Sequence, residues 1–66
     1  MSIESVMKSN IGKQFLYKGR KVEIVSCFSC YEGDYYEYRD VDLNTEIQRV
    51  KLFTEEGYKF EMNIPK

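Results

Sequence analysis

The chain has 66 residues, 15% of them aromatic, and its 10 Lys and Arg side chains nearly balance its 11 Asp and Glu side chains. This length predicts one small domain over residues 1–66. Because the chain contains no His, imidazole acid–base chemistry and a Cys2His2 zinc site are excluded. We therefore expect a binding protein and not an enzyme, without catalytic residues, bound metal or cofactor.

The first residues combine features of a short helix and lack those of a targeting segment. No basic stretch precedes a long apolar run, so the sequence predicts neither a secretory signal nor a membrane span, and a cytoplasmic location is the default expectation. Ser2 is a suitable helix cap, and Ile3, Val6 and Met7 follow at helical spacing. We predict a short helix over residues 1–10, which needs an apolar surface to pack on because so short a helix does not persist alone in water.

Turn-forming residues divide the rest of the chain into short segments rich in strand-forming residues. Gly19, Gly33, Asn44 and Gly57 recur about every dozen residues, which is typical of an antiparallel meander. The five strands predicted within residues 12–64 are residues 13–17, 22–28, 35–43, 47–53 and 58–64.

The last of these segments has the most regular alternation in the chain. Tyr58, Phe60, Met62 and Ile64 share one face of a strand and are separated by polar residues. We predict that this strand ends at Pro65, which cannot continue it.

The segment over residues 43–53 has two interpretations. Leu43, Ile47, Val50 and Phe53 also follow helical spacing. We favour a strand, because the segment contains several β-forming residues and lacks a clear helix cap.

Five short strands after a short helix predict a mainly β fold. Apolar residues on both faces of residues 22–28 predict a strongly curved strand, and a change of parity predicts a bulge near Arg39 and Asp40. In strand number and spacing the chain resembles SH3-like and Tudor-like barrels, so we expect a small five-stranded antiparallel meander that forms such a barrel or a strongly bent sheet. The residues predicted to form the core are Phe15, Val22, Ile24, Phe28, Val41, Val50, Leu52, Phe60, Met62 and Ile64.

Tyrosines and carboxylates cluster around the turn between the second and third strands. Exposed aromatic rings beside carboxylates suit Pro-rich or cationic peptides, and Tyr is also enriched at subunit interfaces. Half-buried tyrosines with solvated hydroxyls give the same pattern without any partner. We predict a protein-binding surface here, with a structural homodimer as an alternative. Its residues are Tyr31, Glu32, Asp34, Tyr35, Tyr36 and Tyr38.

Basic residues flank the first predicted hairpin and support a different function. Phe15 and Tyr17 lie among them in the sequence, and basic residues interleaved with aromatic ones are typical of surfaces that bind single-stranded nucleic acid. Such modules are usually clearly basic, whereas the net charge here is −1. Nucleic-acid binding is therefore the alternative function, through Lys13, Lys18, Arg20 and Lys21.

Cys27 and Cys30 are separated by two residues, as in metal-binding and redox motifs. A zinc site normally takes four ligands, so this pair needs a second pair from a symmetric dimer. A redox pair normally places its first sulfur at a helix N-terminus, whereas strand alternation points these two side chains to opposite faces. We interpret the thiols as small structural side chains, with the shared metal site and the redox pair as alternatives.

Overall fold

The computed structural model describes residues 3–43 and 46–65. Its elements are α1 (Ile3–Ser9), β1 (Gln14–Tyr17), β2 (Arg20–Cys30), β3 (Gly33–Asp40), β4 (Gln48–Lys51) and α2 (Glu55–Met62). Consecutive strands pair antiparallel in the order β1-β2-β3-β4. The predicted mainly β fold with a short N-terminal helix is confirmed. None of the described helices has the length and apolar character needed to cross a membrane.

The helix α1 packs on the sheet through Met7, as its short length requires. Met7 is almost completely buried in the core, and α1 lies against β2. The helix ends where the Asn10 N–H donates to the Met7 carbonyl. The predicted cap Ser2 and the predicted turn residue Asn44 lie outside the described residues.

The strands β1 and β2 form the predicted tight hairpin. Tyr17 pairs with Arg20, and the two residues between them have positive φ angles, 54° at Lys18 and 77° at Gly19. Two successive positive φ angles match the right-handed twist of a hairpin. The turn therefore directs Tyr17 inward and leaves Lys18 at the end of the hairpin.

A β-bulge lies in β2 and not at the predicted position in β3. The pairing with β3 shifts between Ile24 and Ser26, so Val25 is the extra residue on β2. One extra residue exchanges the two faces of the strand beyond it. Cys27 consequently lies on the core side, and the prediction that Phe28 is in the core is wrong.

The predicted fifth strand is wrong, because these residues form the helix α2. Thr54 is its N-cap, with Oγ1 accepting a hydrogen bond from the Gly57 N–H at 3.0 Å, and two Glu residues occupy the first turn. Both features stabilise a helix start. Phe60 is completely buried, whereas Met62 is 84% exposed, so the alternating apolar residues do not share one face.

The core lies between one face of the sheet and the two helices. The Phe60 ring packs against the rings of four surrounding residues, at centroid distances between 4.8 and 5.9 Å. Those residues are Phe15, Tyr17, Tyr36 and Tyr38. The core predictions confirmed as buried are Phe15, Val22, Ile24, Val50, Leu52 and Phe60.

Three other predicted core residues lie at different depths. Ile64 packs against the edge of the core and Val41 is half-buried, whereas Met62 is exposed. The competing helix over residues 43–53 is not formed, since Gln48–Lys51 is a strand. The closed five-stranded barrel is not confirmed: within the described residues β1 and β4 are the two edges of an open sheet.

Candidate binding surface on the uncovered face of the sheet

The two faces of the sheet differ in what covers them. Side chains alternate along each strand, and the face that carries Phe15, Val22 and Tyr36 is buried under α1 and α2. We call the opposite side the outer face. No helix or strand of residues 3–43 and 46–65 packs on it.

The outer face carries a stacked pair of aromatic rings. Phe28 on β2 pairs with Tyr35 on β3, and their rings are nearly parallel, with centroids 5.0 Å apart and an interplanar angle of 9°. Tyr35 pairs in turn with Lys51 on β4. Both aromatic side chains are half-buried and Lys51 is exposed, so this row of three strands presents a flat aromatic surface beside an ammonium group.

The guanidinium group of Arg49 is a second cation beside the rings. Its guanidinium carbon lies 5.3 Å from the centroid of the Phe28 ring, and its Nε donates to Glu37 Oε2 at 3.2 Å. A guanidinium over a ring face is attracted by the π system, and the carboxylate holds the arginine in this orientation. We name Phe28, Tyr35, Glu37, Arg49 and Lys51 the outer-face patch.

The turn between β2 and β3 is exposed. Tyr31 is 97% exposed, and Glu32 is also exposed. Asp34 accepts a hydrogen bond from the Ser29 hydroxyl, which ties the two strands together near the turn. Of the predicted protein-binding residues, Tyr35 is a member of the patch, whereas Tyr31 and Glu32 lie in the turn between β2 and β3, and Asp34 lies on the same side of β3 as Tyr36.

The other two predicted tyrosines lie on the core side of the sheet. Tyr36 is 2% exposed, and its hydroxyl accepts a hydrogen bond from Asn10 Nδ2 at 2.9 Å. Burial raises the pKa of Tyr36. Tyr38 packs its ring against Phe60. The four clustered tyrosines are thus divided between the two faces, and Tyr36 has almost no surface to offer a partner.

The predicted basic residues do not form one basic surface. Lys18 pairs with Glu56 at 2.7 Å and Arg20 pairs with Asp40 at 2.7 Å. Hydrogen bonds from Lys18 and Tyr17 lower the pKa of Glu56.

The other two predicted basic residues, Lys13 and Lys21, have different surroundings. Lys13 Nζ donates to the Pro65 carbonyl at 2.9 Å. Lys21 lies on the outer face opposite Leu16 and is exposed. Carboxylates or a carbonyl therefore already occupy three of the four predicted phosphate-binding groups.

The two cysteines point to opposite sides of β2, as their spacing predicts. Cys27 packs against the core, whereas Cys30 is exposed at the end of the strand opposite Gly33, and both thiols are free. Within the described part of the chain, no group of three or more His, Cys, Asp or Glu side chains is arranged to hold a metal ion.

Sequence reasoning missed Phe28, Glu37, Arg49 and Lys51 as members of one site. The bulge at Val25 decides on which face Phe28 lies, and nothing in the local pattern locates that bulge. Comparison of the chain with protein-family models, curated proteins and solved structures found no match.

Proposed function

We propose that the chain is a small non-enzymatic binding module whose outer-face patch holds a segment of a protein partner. The observation that carries this proposal is the Phe28–Tyr35 stack, on the face of the sheet opposite the core. Aromatic residues and Arg are enriched where protein interfaces concentrate their binding energy. The patch holds both kinds of side chain in fixed positions, so a partner does not have to order them.

The charges of the patch indicate the chemistry of the partner. Arg49 has its countercharge in Glu37. Lys51 is exposed and has no ion pair among the described residues. A partner carboxylate placed at Lys51 gains an ion pair, while an adjacent apolar side chain covers the Phe28 and Tyr35 rings. We therefore infer a partner segment that presents an apolar side chain next to a carboxylate.

Two other occupants of the patch are alternatives that experiment distinguishes. Single-stranded nucleic acid stacks on aromatic rings and contacts cations, but Lys18 and Arg20 already have carboxylate partners and the net charge is −1. A second copy of the chain would cover the same rings in a symmetric dimer. The charge balance favours a protein partner over nucleic acid.

Affinity capture with matched variants tests the proposal. Tyr35→Ser removes an aromatic ring from the patch, and Tyr58→Ser removes a ring that is 54% exposed on α2. We expect a partner that binds the wild-type protein and Tyr58→Ser, and that loses about tenfold or more in affinity toward Tyr35→Ser. Calorimetric titration of the purified partner measures this difference.

A charge reversal completes the experiment. Lys51→Glu is expected to weaken the same partner, because it opposes the inferred carboxylate. Equal binding to the wild-type protein and to both patch variants contradicts the proposal. The proposal is also contradicted if an oligonucleotide binds with a steep salt dependence and the patch variants abolish that binding. A symmetric dimer that buries the whole patch would contradict it as well.

A further inference from the structure

The strand β1 covers only the first part of the β2 edge that lies away from β3. It pairs with β2 as far as Glu23. At the next residue, the Ile24 N–H donates to the Lys13 carbonyl at 3.1 Å, and the Ile24 carbonyl accepts from the Gly12 N–H at 2.8 Å. Among the described residues, no strand pairs with β2 beyond this point on that side of the sheet. We call residues 26–30 of β2 the free edge.

The register shows where the backbone groups of the free edge point. The Leu52 N–H donates to the Asp34 carbonyl at 2.8 Å, so the backbone of Asp34 faces β4. Ser29 is paired with Asp34 on β2, and its backbone consequently faces away from β3. This direction alternates along an antiparallel strand, so Cys27 faces the same way as Ser29. The free edge therefore presents the N–H and carbonyl groups of Cys27 and Ser29 to a further strand.

The free edge carries none of the side chains that normally prevent pairing with another strand. Natural edge strands are protected by Lys and other charged residues, by Pro or by bulges. Residues 26–30 contain no charged residue and no Pro, and the bulge at Val25 lies before them. Ser29 and Cys30 are exposed. An extended chain can therefore reach this edge.

We propose that a second copy of the chain pairs with the free edge as an antiparallel strand, with Phe28 of one copy opposite Phe28 of the other. In this register Cys27 of each copy lies opposite Ser29 of the other. Both residues direct their backbone groups outward, so each such pair exchanges both of its N–H to carbonyl hydrogen bonds. The two-fold pairing thus satisfies, on both copies, the outward backbone groups of the free edge.

The neighbouring registers leave some of these groups unpaired. A register centred on Cys27 places Ser29 opposite the bulged Val25 of the second copy. A register centred on Ser29 places Cys27 opposite Tyr31, which lies in the turn. The arrangement of the outward groups therefore selects the pairing centred on Phe28.

The ends of the paired segment also match a second copy. At equal distances along the chain from Phe28, Ile24 falls opposite Glu32 of the other copy. Gly12 and Lys13 already occupy the edge at Ile24, and Glu32 is in the turn, so the two chains separate where the pairing has to end. This brings the exposed Glu32 carboxylate of each copy toward Lys13 of the other, whose ammonium group contacts only the neutral Pro65 carbonyl. The opposite charges favour a second copy over an unrelated strand.

The paired copies form one continuous sheet around a two-fold axis that passes between the two Phe28 residues. Both outer-face patches lie on the same side of this sheet and stay uncovered, so the dimer does not compete with the proposed binding of a partner. Pairing so few residues buries much less than the roughly 1,200–2,000 Å² of a stable interface. We therefore expect a weak dimer, with a dissociation constant on the order of 100 µM.

A mixture of isotope-labelled and unlabelled full chain tests the register directly. The two are mixed at a total concentration of about 1 mM, roughly tenfold above the expected dissociation constant, with a reducing agent that keeps Cys30 a thiol. The Cα atoms of the central pair should be about 4.5 Å apart. We expect magnetisation transfer between the Hα of Phe28 in a labelled copy and the Hα of Phe28 in an unlabelled copy. Sedimentation equilibrium over the same concentrations measures the dissociation constant.

Two substitutions at one position separate the backbone from the side chain. Ser29→Pro removes the N–H that faces the second copy and no hydrogen bond of the β2–β3 ladder. Ser29→Ala keeps this N–H but loses the same hydroxyl, which bonds to Asp34, and is the matched control. We expect Ser29→Pro to weaken dimerisation by about tenfold or more and Ser29→Ala to leave it unchanged. The amide spectrum of each variant shows whether the fold is retained.

A charge exchange tests the same register without changing the backbone. Ser26 lies opposite Cys30 of the second copy in the proposed pairing. A variant with Ser26→Lys and Cys30→Lys places like charges opposite each other and should stay monomeric, as should a variant with Ser26→Glu and Cys30→Glu. An equal mixture of the two variants should dimerise.

Several results would overturn the proposal. The wild-type chain could remain monomeric at about 1 mM, or dimerise without contact between the Phe28 residues of the two copies. Equal dimerisation of Ser29→Pro and Ser29→Ala would show that the free edge is not the interface. Lysine and glutamate variants that dimerise no better mixed than alone would exclude the register centred on Phe28.

Discussion

At the scale of single residues, Gly57 is the position where one methyl group is expected to have the largest effect. A Cβ atom there would lie 2.2 Å from the Lys51 carbonyl oxygen and 3.0 Å from the Leu52 Cα. Both are backbone atoms, so relief requires that β4 and α2 move apart. The absence of a side chain at Gly57 is what allows α2 to approach β4 this closely.

Gly57→Ala is therefore expected to destabilise the protein by about 2 kcal/mol or more. In an ordinary helix the same change stabilises by roughly 0.5–1 kcal/mol, because Ala loses less backbone entropy. Urea unfolding measures the difference, with Glu55→Ala in the exposed first turn of the same helix as the control. An unchanged or increased stability of Gly57→Ala would show that α2 does not pack on β4 at this distance.

Asp40 makes the stability depend on pH in a direction that can be worked out. It is 8% exposed, and its carboxylate accepts from Arg20 Nε at 2.7 Å and from the N–H groups of Asp42 and Leu43 at 2.9 Å each. The Arg20 hydrogen bond is the main cause that lowers the pKa of Asp40 from its usual 3.8. The stabilisation is complete above that usual pKa and is lost as the pH falls through the lower pKa of the folded state.

Asp40→Asn is expected to lower the free energy of unfolding at neutral pH. The difference from the wild-type protein should shrink as the pH falls below the usual Asp pKa and vanish once Asp40 is protonated in both states. Urea unfolding at about pH 7 and at about pH 2 measures this difference. A difference that is the same at both pH values would mean that the ionised form of Asp40 contributes nothing to stability.

At the scale of elements, α2 is the clearest test of the description of the fold. Phe60 is completely buried against four aromatic rings, whereas Met62 is 84% exposed. Phe60→Ala is expected to cost about 3–5 kcal/mol, and Met62→Ala about 0.5 kcal/mol or less. Thermal and urea unfolding of the two variants measure both losses of stability. Similar large losses for both variants would indicate a strand with both side chains inward.

The wrong prediction of a strand where α2 lies shows that two sequence signals compete in this segment. Alternation from Tyr58 to Ile64 favours a strand, whereas Thr54 followed by two Glu residues is a helix start. The capping signal was present in the sequence and outweighs the alternation, because packing of one residue, Phe60, fixes the helix. Alternation over so few residues does not distinguish one buried side chain from four.

The first hairpin illustrates the opposite case, in which the sequence was sufficient. A two-residue turn at Lys18 and Gly19 is specified locally, because Gly accepts a positive φ angle without a steric cost. The alternation around that turn then places Phe15, Val22 and Ile24 correctly in the core. In β2 the prediction fails beyond Ile24, since a bulge depends on contacts between strands and not on the residue types at its own position.

At the scale of the whole molecule, the sheet separates a face covered by the two helices from a face that no described element covers. The core face gathers the two helices around Phe60, and the outer face retains the Phe28–Tyr35 stack. The tyrosine cluster was visible in the sequence, but its division between the faces follows from the bulge and the strand register. The patch also includes Arg49 and Lys51 of β4. The local sequence does not indicate that these two residues lie beside the hairpin of β2 and β3.

We propose that the outer-face patch is the surface through which the protein binds its partner. The most direct test is the amide spectrum of the isotope-labelled protein during titration with the partner captured by the wild-type chain. We predict the largest shifts at Phe28, Tyr35, Arg49 and Lys51, and little change in α2. Shifts concentrated in α2 or around Tyr36, with the patch unchanged, would contradict the proposed binding surface.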